Sequence, residues 1–346
     1  MTIGGAAGRS WAAWVISLVI AAGLLAYFLR GIDADRILST ARNAAPRPFV
    51  LFLALFATGI AARTTRFWIL LRRVVPFGTV LRITLVRNLL VDLLPARLGE
   101  LSYVYLVRTK GGRSVEEGVA TVAVAFLLDL VALAPLVLAA VLVVGAGALV
   151  PVRVAWTAAA VLAGGGLAAV WLAGPIARRL ARWLDAAASP TWRSAAAVRL
   201  RSLARSFDLA KSQRVLLPAL LLSIVVRIAK YGSHYCLVLS LLMPLGYSMA
   251  ELGVLRILLG SVAAEVAAAL PVHGLAGFGT YEAAWTLALE RLGYPREHAV
   301  ISGLVAHVIT QGIEYVLGGL ALVLLFLSHG RGRTPENGRV SRPESS

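Results

Sequence analysis

Arginine and carboxylate side chains recur inside stretches of this sequence that are otherwise apolar. Arg87, Asn88, Asp92, Arg97, Glu100 and Asp129 fall in its first half. Glu265, His273, Glu282, His307, Gln311 and Glu314 fall in its second, and Arg227, Lys230 and His234 lie between the two groups. An unpaired charge at bilayer depth costs about 2.5–3.5 kcal/mol on insertion scales, so such groups face inward and find partners. Arg87 and Asp92 stand five apart, poorly placed for a pair along one helix, so their partners are expected on other helices. Two chemistries fit the set. An arginine–carboxylate track suits a phospholipid or other phosphate-bearing headgroup, because the guanidinium fork matches phosphate oxygens. Alternatively, the ion pairs pin irregular backbone to a helical bundle. Pinning is at least as good a reading for Glu100 and Glu282, which recur at equivalent places; for Arg97, just after a proline, phosphate binding is preferred. His234, His273 and His307 read as satisfied interior histidines, since no His/Asp/Glu spacing forms a metal site. No hydrolase, zinc-protease, phosphate-loop or dinucleotide motif occurs, so no catalytic residue, metal or cofactor is expected.

The elements that carry these residues are set by composition. Of the 346 residues 59% are hydrophobic and 15% charged, too apolar for a water-soluble domain of this size. Apolar runs of spanning length occur at Trp11–Leu29, Pro48–Leu71, Val115–Ala146, Val152–Ala173, Val215–Met243 and Ala299–Leu327. The first of them is too long and too poorly flanked for a cleavable leader. Cys236 is the one cysteine, which excludes an intramolecular disulfide and a cysteine zinc site. The net charge of +17 is mostly arginine, and in a membrane protein that excess reports sidedness and anionic lipid before nucleic acid. The arginine-rich segment 174–214 is therefore expected on the cytoplasmic side, with both termini. It reads as an amphipathic linker whose helices either lie in the headgroup layer or simply connect two halves. The basic tail 329–346 reads as disordered, leaving one membrane domain over 1–328.

Two apolar segments are interrupted, and they match. Leu94-Pro95 precedes Gly99 and Glu100; Leu270-Pro271 precedes Gly277, Gly279 and Glu282. Gly112 follows Glu100 by twelve residues and Gly293 follows Glu282 by eleven, while Asp129 and Gln311 each come 29 residues after their glutamate. Proline stops a helix and glycine lets backbone approach backbone, so Pro95, Gly99, Pro271, Gly277 and Gly279 read as loop-forming. Three full spans separate the two breaks. The fold expected is thus an all-α polytopic membrane protein, with about six transmembrane helices plus two re-entrant or broken helix pairs in an inverted-topology repeat. Irregular backbone at membrane depth is tolerated where it lines a cavity or is buried in protein, so a cavity is expected near the breaks.

The string Arg63-x-x-Arg66-Phe67-Trp68, then Leu94-Pro95-Ala96-Arg97-Leu98-Gly99-Glu100, Arg108 and Gly112, resembles the lysylphosphatidylglycerol synthase transmembrane (flippase-like) family. Pro271 followed by Gly277-x-Gly279-x-x-Glu282 is similar to that family's second signature, and the resemblance covers about Pro48 to Leu327. The family commonly has adjacent glycines and an arginine directly before the second glutamate, where this chain has Ala276-Gly277 and Tyr281. The resemblance implies translocation of a lipid or lipid-linked headgroup between leaflets of a bacterial-type cytoplasmic membrane. It brings Arg66 into a substrate-binding set with Arg87, Asp92, Arg97, Glu100, Asp129, Glu265, His273, Glu282 and Gln311. The expected partners are membrane lipids, an anionic phospholipid or a lipid-linked phosphate, and no nucleic acid. A non-transporting partner of a separate lipid-modifying enzyme is the alternative, and a membrane-embedded lipid transferase ranks below it.

Overall fold

The computed structural model describes residues 33–94, 99–144, 151–186, 191–211, 213–268 and 277–327, with Gly23, Ala26, Tyr27 and Arg30 ahead of them. Among these residues all regular structure is helical. A short amphipathic helix, α1 (Ala34–Arg42), is capped by the Asp33 side chain, which accepts from the Asp35 N–H at 3.2 Å. It leads into α2 (Pro46–Leu70), whose two prolines stand in the first turn, where a missing N–H costs no helical hydrogen bond. Then come α3 (Phe77–Leu93), α4 (Glu100–Thr109), α5 (Val115–Val144), α6 (Val152–Ala186) and α7 (Thr191–Ala210). The remainder is α8 (Gln213–Leu242), the single turn α9 (Met249–Leu252), α10 (Val254–Ala268), α11 (Thr280–Arg291) and α12 (Arg296–Leu327).

Among the described residues five helices are long and apolar enough to cross a membrane: α2, α5, α6, α8 with its following turn, and α12. They coincide with five of the six spans read from the sequence. The sixth, Trp11–Leu29, falls outside the described residues apart from Gly23, Ala26 and Tyr27. The protein is an all-α polytopic membrane protein. At 1.5 Å per residue α4 and α11 are about 15 and 18 Å long, well short of roughly 30 Å of hydrocarbon. Each instead folds back on the helix before it. Leu106 and Val107 of α4 share a core with Val80, Ile83 and Val86 of α3, and a Cβ on Gly99 would overlap the Leu90–Val91 peptide. Glycine is what lets α4 start against bare α3 backbone. In the second half Gly260 of α10 lies opposite Trp285 and Leu289 of α11, and Ala268 opposite Gly277.

The apolar core is divided. One cluster gathers Phe52 of α2, Val141 of α5, Leu237 and Leu242 of α8, Trp285 and Leu289 of α11 and Ile301 of α12. The other gathers Phe67 and Leu70 of α2, Tyr103 of α4, Leu128 of α5, Ala219 of α8 and Leu325 of α12. The long helices run through both clusters, whereas α3 and α4 serve one and α10 and α11 the other. Contacts follow the same division: α2 packs most extensively on α8 and α3 on α12, while α10 packs most extensively on α11 and also on α5. What lies between the clusters is polar.

The arginine-rich segment differs from its sequence reading. Gly174-Pro175 does not end the preceding span, because α6 continues as one helix through both residues to Ala186. Proline removes one helical hydrogen bond, but α7 packed along α6 and alanine-rich flanks outweigh that loss. The face of α7 carrying Leu203, Phe207 and Ala210 is covered by protein, where it joins the core cluster with Tyr103 and Leu128. The Ile176, Leu180 and Trp183 face of α6 stays exposed. Arg178 pairs with Asp208 and Arg201 with Asp185, tying the two arms of the hairpin together at its surface.

Candidate functional site

The polar layer begins on α2. Arg66 is 2% exposed, a burial that guanidinium tolerates only with partners. Its Nη1 and Nη2 engage both carboxylate oxygens of Asp129 on α5, the second at 3.2 Å, and Nη1 also donates to the Ser223 hydroxyl of α8 at 2.7 Å. Arg227, on the same face of α8, reaches Asp129 at 3.8 Å and Glu265 of α10 at 3.5 Å. Lys230, three residues further along, holds the other Glu265 oxygen at 3.0 Å. This chain of ion pairs therefore links α2, α5, α8 and α10. A neighbouring set closes the first break: Arg87 of α3 grips Glu100 of α4 with two guanidinium nitrogens, Nε at 2.8 Å. Asn88 accepts from both Arg63 at 3.0 Å and Arg87 at 3.2 Å.

The second break is closed differently. Gly279 has φ +86°, a left-handed conformation that favours glycine, and its N–H donates to Glu282 at 2.7 Å to cap α11. The other Glu282 oxygen lies 2.5 Å from His307 Nδ1, and His307 Nε2 lies 3.1 Å from the Gln311 amide nitrogen. Those contacts fit the tautomer with a proton on Nδ1 and an acceptor at Nε2. The His307 ring stacks on Tyr281 at 4.3 Å, and His234 stacks on Trp285 at 5.0 Å.

Between these sets lies a cavity of about 240 Å³, lined by Arg63, Arg66, Arg87, Asp129, Arg227 and Glu265 among others. A second, of about 200 Å³, extends towards Gly277, Tyr281, His307 and Gln311. The two share Val91, Asp92, Lys230, His234, Glu265, Thr310 and Glu314 as lining, so they adjoin. Phe56 and Phe126 line the apolar side of the larger cavity, and Phe126 is 45% exposed. Three buried donors in its wall, Arg66 Nε, Asn88 Nδ2 and Arg227 Nε, have no hydrogen-bond partner among the described residues. Among those residues Arg63 is in ion-pair contact with no carboxylate. A wall that presents spare donors and a spare cation suits a ligand rich in acceptor oxygens. Among the described residues no group of three or more His, Cys, Asp or Glu side chains could hold a metal ion.

A family model described as the lysylphosphatidylglycerol synthase TM region matches residues 14–328. The chain belongs to this family. Membership ties it to lipid modification or translocation in a membrane. No curated protein matches the chain.

Within this lysylphosphatidylglycerol synthase transmembrane region the site residues expected from sequence divide into three groups. Arg66, Arg87, Asp92, Glu100, Asp129 and Glu265 line the larger cavity, and Gln311 and Gly277 the smaller. Glu282, 1% exposed, lines neither; it holds the helix start and His307 behind the wall. Arg97, His273, Pro95 and Pro271 lie outside the described residues. Lys230, His234, Arg227 and Glu314, named among the inward polar residues of the sequence but left out of its substrate-binding set, also line the cavity. The 227/230 spacing, two cations one turn apart on an apolar helix, is the signal that would have brought two of them into that set. Arg63, one turn before Arg66, was quoted only as part of a family string.

Proposed function

We propose that the protein moves a phosphate-bearing lipid headgroup, an anionic phospholipid or a lipid-linked phosphate, between the two leaflets of the membrane. The observation that carries this reading is the donor-rich wall of the cavity: Arg63 without a carboxylate partner, beside the spare N–H groups of Arg66, Asn88 and Arg227. A phosphodiester supplies both the charge and the acceptors such a wall lacks. The apolar side at Phe56 and Phe126 suits acyl chains that stay in lipid while the headgroup crosses. In this reading the two broken pairs are an inverted repeat, one entering from each side, and the long helices are the frame they move against. The pairing of α3 with α12 and of α10 with α5 supports that symmetry. Positive-inside bias supports a bacterial-type cytoplasmic membrane with the arginine-rich α6–α7 hairpin and both termini on the cytoplasmic side. The protein then works as a transporter and not as an enzyme.

The test is leaflet exchange in reconstituted liposomes carrying labelled phospholipids or polyprenyl-phosphate lipids. Exchange above empty vesicles is expected for at least one class, and none for either would sink the reading. Arg63→Gln is expected to lower exchange by about tenfold or more, the worth of a hydrogen bond to a charged group, with an unchanged unfolding midpoint. Wild-type exchange in that variant would remove Arg63 from the site.

A further inference from the structure

Asp92, near the end of α3, and Glu314, midway along α12, face each other where the two cavities adjoin. Their carboxyl groups are within hydrogen-bonding reach of one another. An ionised carboxylate only accepts, so two carboxyls this close hydrogen-bond to one another only once one of them takes up a proton. Among the described residues neither acid is in ion-pair contact with a cation. Of the cations around them, Lys230 of α8 is paired with Glu265 of α10 and Arg87 of α3 with Glu100 of α4, while Arg63 of α2 donates to Asn88 and is in ion-pair contact with neither acid. Tyr315 of α12 also faces the pair. Further along the smaller cavity, His307 is held by Glu282 and Gln311, and His234 of α8 meets the Tyr281 hydroxyl of α11 at 3.4 Å. Asp129 of α5 completes the charged wall, bound to Arg66 and Arg227.

We propose that Asp92 and Glu314 form a proton-sharing carboxyl pair that couples headgroup binding to the uptake of one proton. The inference rests on the lipid-translocation reading and adds to it what the headgroup moves with. Charge balance carries it. Among the described residues the larger cavity is lined by five cations (Arg63, Arg66, Arg87, Arg227, Lys230) and five acids (Asp92, Glu100, Asp129, Glu265, Glu314). With both members of the pair ionised the wall is neutral; with one proton between them it is left with a single positive charge. A phosphodiester carries one negative charge and restores neutrality, and an uncompensated charge at this depth is costly. The anion therefore favours the protonated pair, and by reciprocity the protonated pair favours the anion. The proton enters from water on the loading side and leaves to water on the release side with the headgroup. The loaded state binds more protons than the empty one, so headgroup affinity rises as pH falls.

Two measurements test this. Infrared difference spectra of the purified protein at neutral pH, with phosphatidylglycerol added minus without it, are expected to show a protonated-carboxyl C=O band that shifts in D₂O and is lost in both Asp92→Asn and Glu314→Gln. A spectrum unchanged by both substitutions overturns the pair. In liposomes with labelled phosphatidylglycerol, and pH dye inside, exchange at sub-saturating lipid is expected to quicken by up to about tenfold per pH unit of acidification. It is expected to carry protons in the same direction, and to lose its pH dependence in Asp92→Asn or Glu314→Gln. Exchange that proceeds with no pH dependence in the wild type overturns the coupling and leaves translocation standing. Absence of exchange for phospholipid and polyprenyl-phosphate alike overturns translocation, and the coupling with it.

Discussion

Asp129→Ala is expected to destabilise the detergent-solubilised protein by about 3–5 kcal/mol, read as a lowered unfolding midpoint. The magnitude follows from what is left behind. Arg66 is 2% exposed and loses its bidentate partner, retaining the Ser223 hydroxyl at 2.7 Å as its acceptor. Arg227 loses its 3.8 Å contact as well and keeps Glu265 at 3.5 Å. A guanidinium stranded between two apolar clusters cannot shed its charge, so the helices that hold it must part or admit water. The double variant Arg66→Met with Asp129→Leu is expected to recover most of the loss, because exchanging both partners for apolar groups of similar volume leaves no buried charge. A single variant within about 1 kcal/mol of wild type would show that the pair is solvated like a surface ion pair.

Glu282→Ala is expected to cost about 2–4 kcal/mol and to loosen one place in particular. The carboxylate accepts the Gly279 N–H at the start of α11, and loss of such a cap is worth about 0.5–2 kcal/mol. It also meets His307 at 2.5 Å, and a buried donor left unsatisfied costs about 1–3 kcal/mol more. Amide hydrogen exchange is expected to speed up across 279–283, while the middle of α2 and α5 keeps its protection. Glu282→Gln retains one acceptor oxygen and is expected to fall between wild type and Glu282→Ala. Uniform acceleration over all helices would mean that Glu282 serves global stability alone and does not pin the second break.

How much of this was legible in the sequence depended on range. Five spans could be read because each is an apolar run bounded by arginine or proline, a signal contained within one helix. The helix starts at Glu100 and Thr280 were legible for the same reason, since Gly99 and Gly279 act on their own backbone. Cross-helix partners were not. Arg87 and Asp92 were expected to reach other helices, and Arg87 does reach α4; nothing local could name Glu314 as the group facing Asp92. Arg63 and Arg66 fell at the end of a span, where positive-inside bias explains arginine adequately, so composition hid the one cation of the described cavity wall that has no ion-paired carboxylate. The family resemblance brought in Arg66 but passed over Arg63. The α6–α7 hairpin misled in the opposite sense. Gly174-Pro175 carries a strong local stop signal, and packing of α7, which no local pattern reveals, overrode it.

The length of α6 has a consequence for the surrounding bilayer. Its 35 residues extend about 52 Å, some 20 Å beyond the hydrocarbon a span requires. Leu172, Ile176, Leu180 and Trp183 continue an exposed apolar stripe along its C-terminal part, with arginines on the flanking faces. A thicker membrane, or one locally swollen around the protein, would therefore meet greasy surface instead of a band of charge. Hydrophobic mismatch costs fractions of a kcal/mol per Å, and on this side of the molecule the helix can absorb several ångströms of it. The chain is thereby built to keep its seat when lipid chain length changes, with α6 serving as the gauge against which that thickness is taken up.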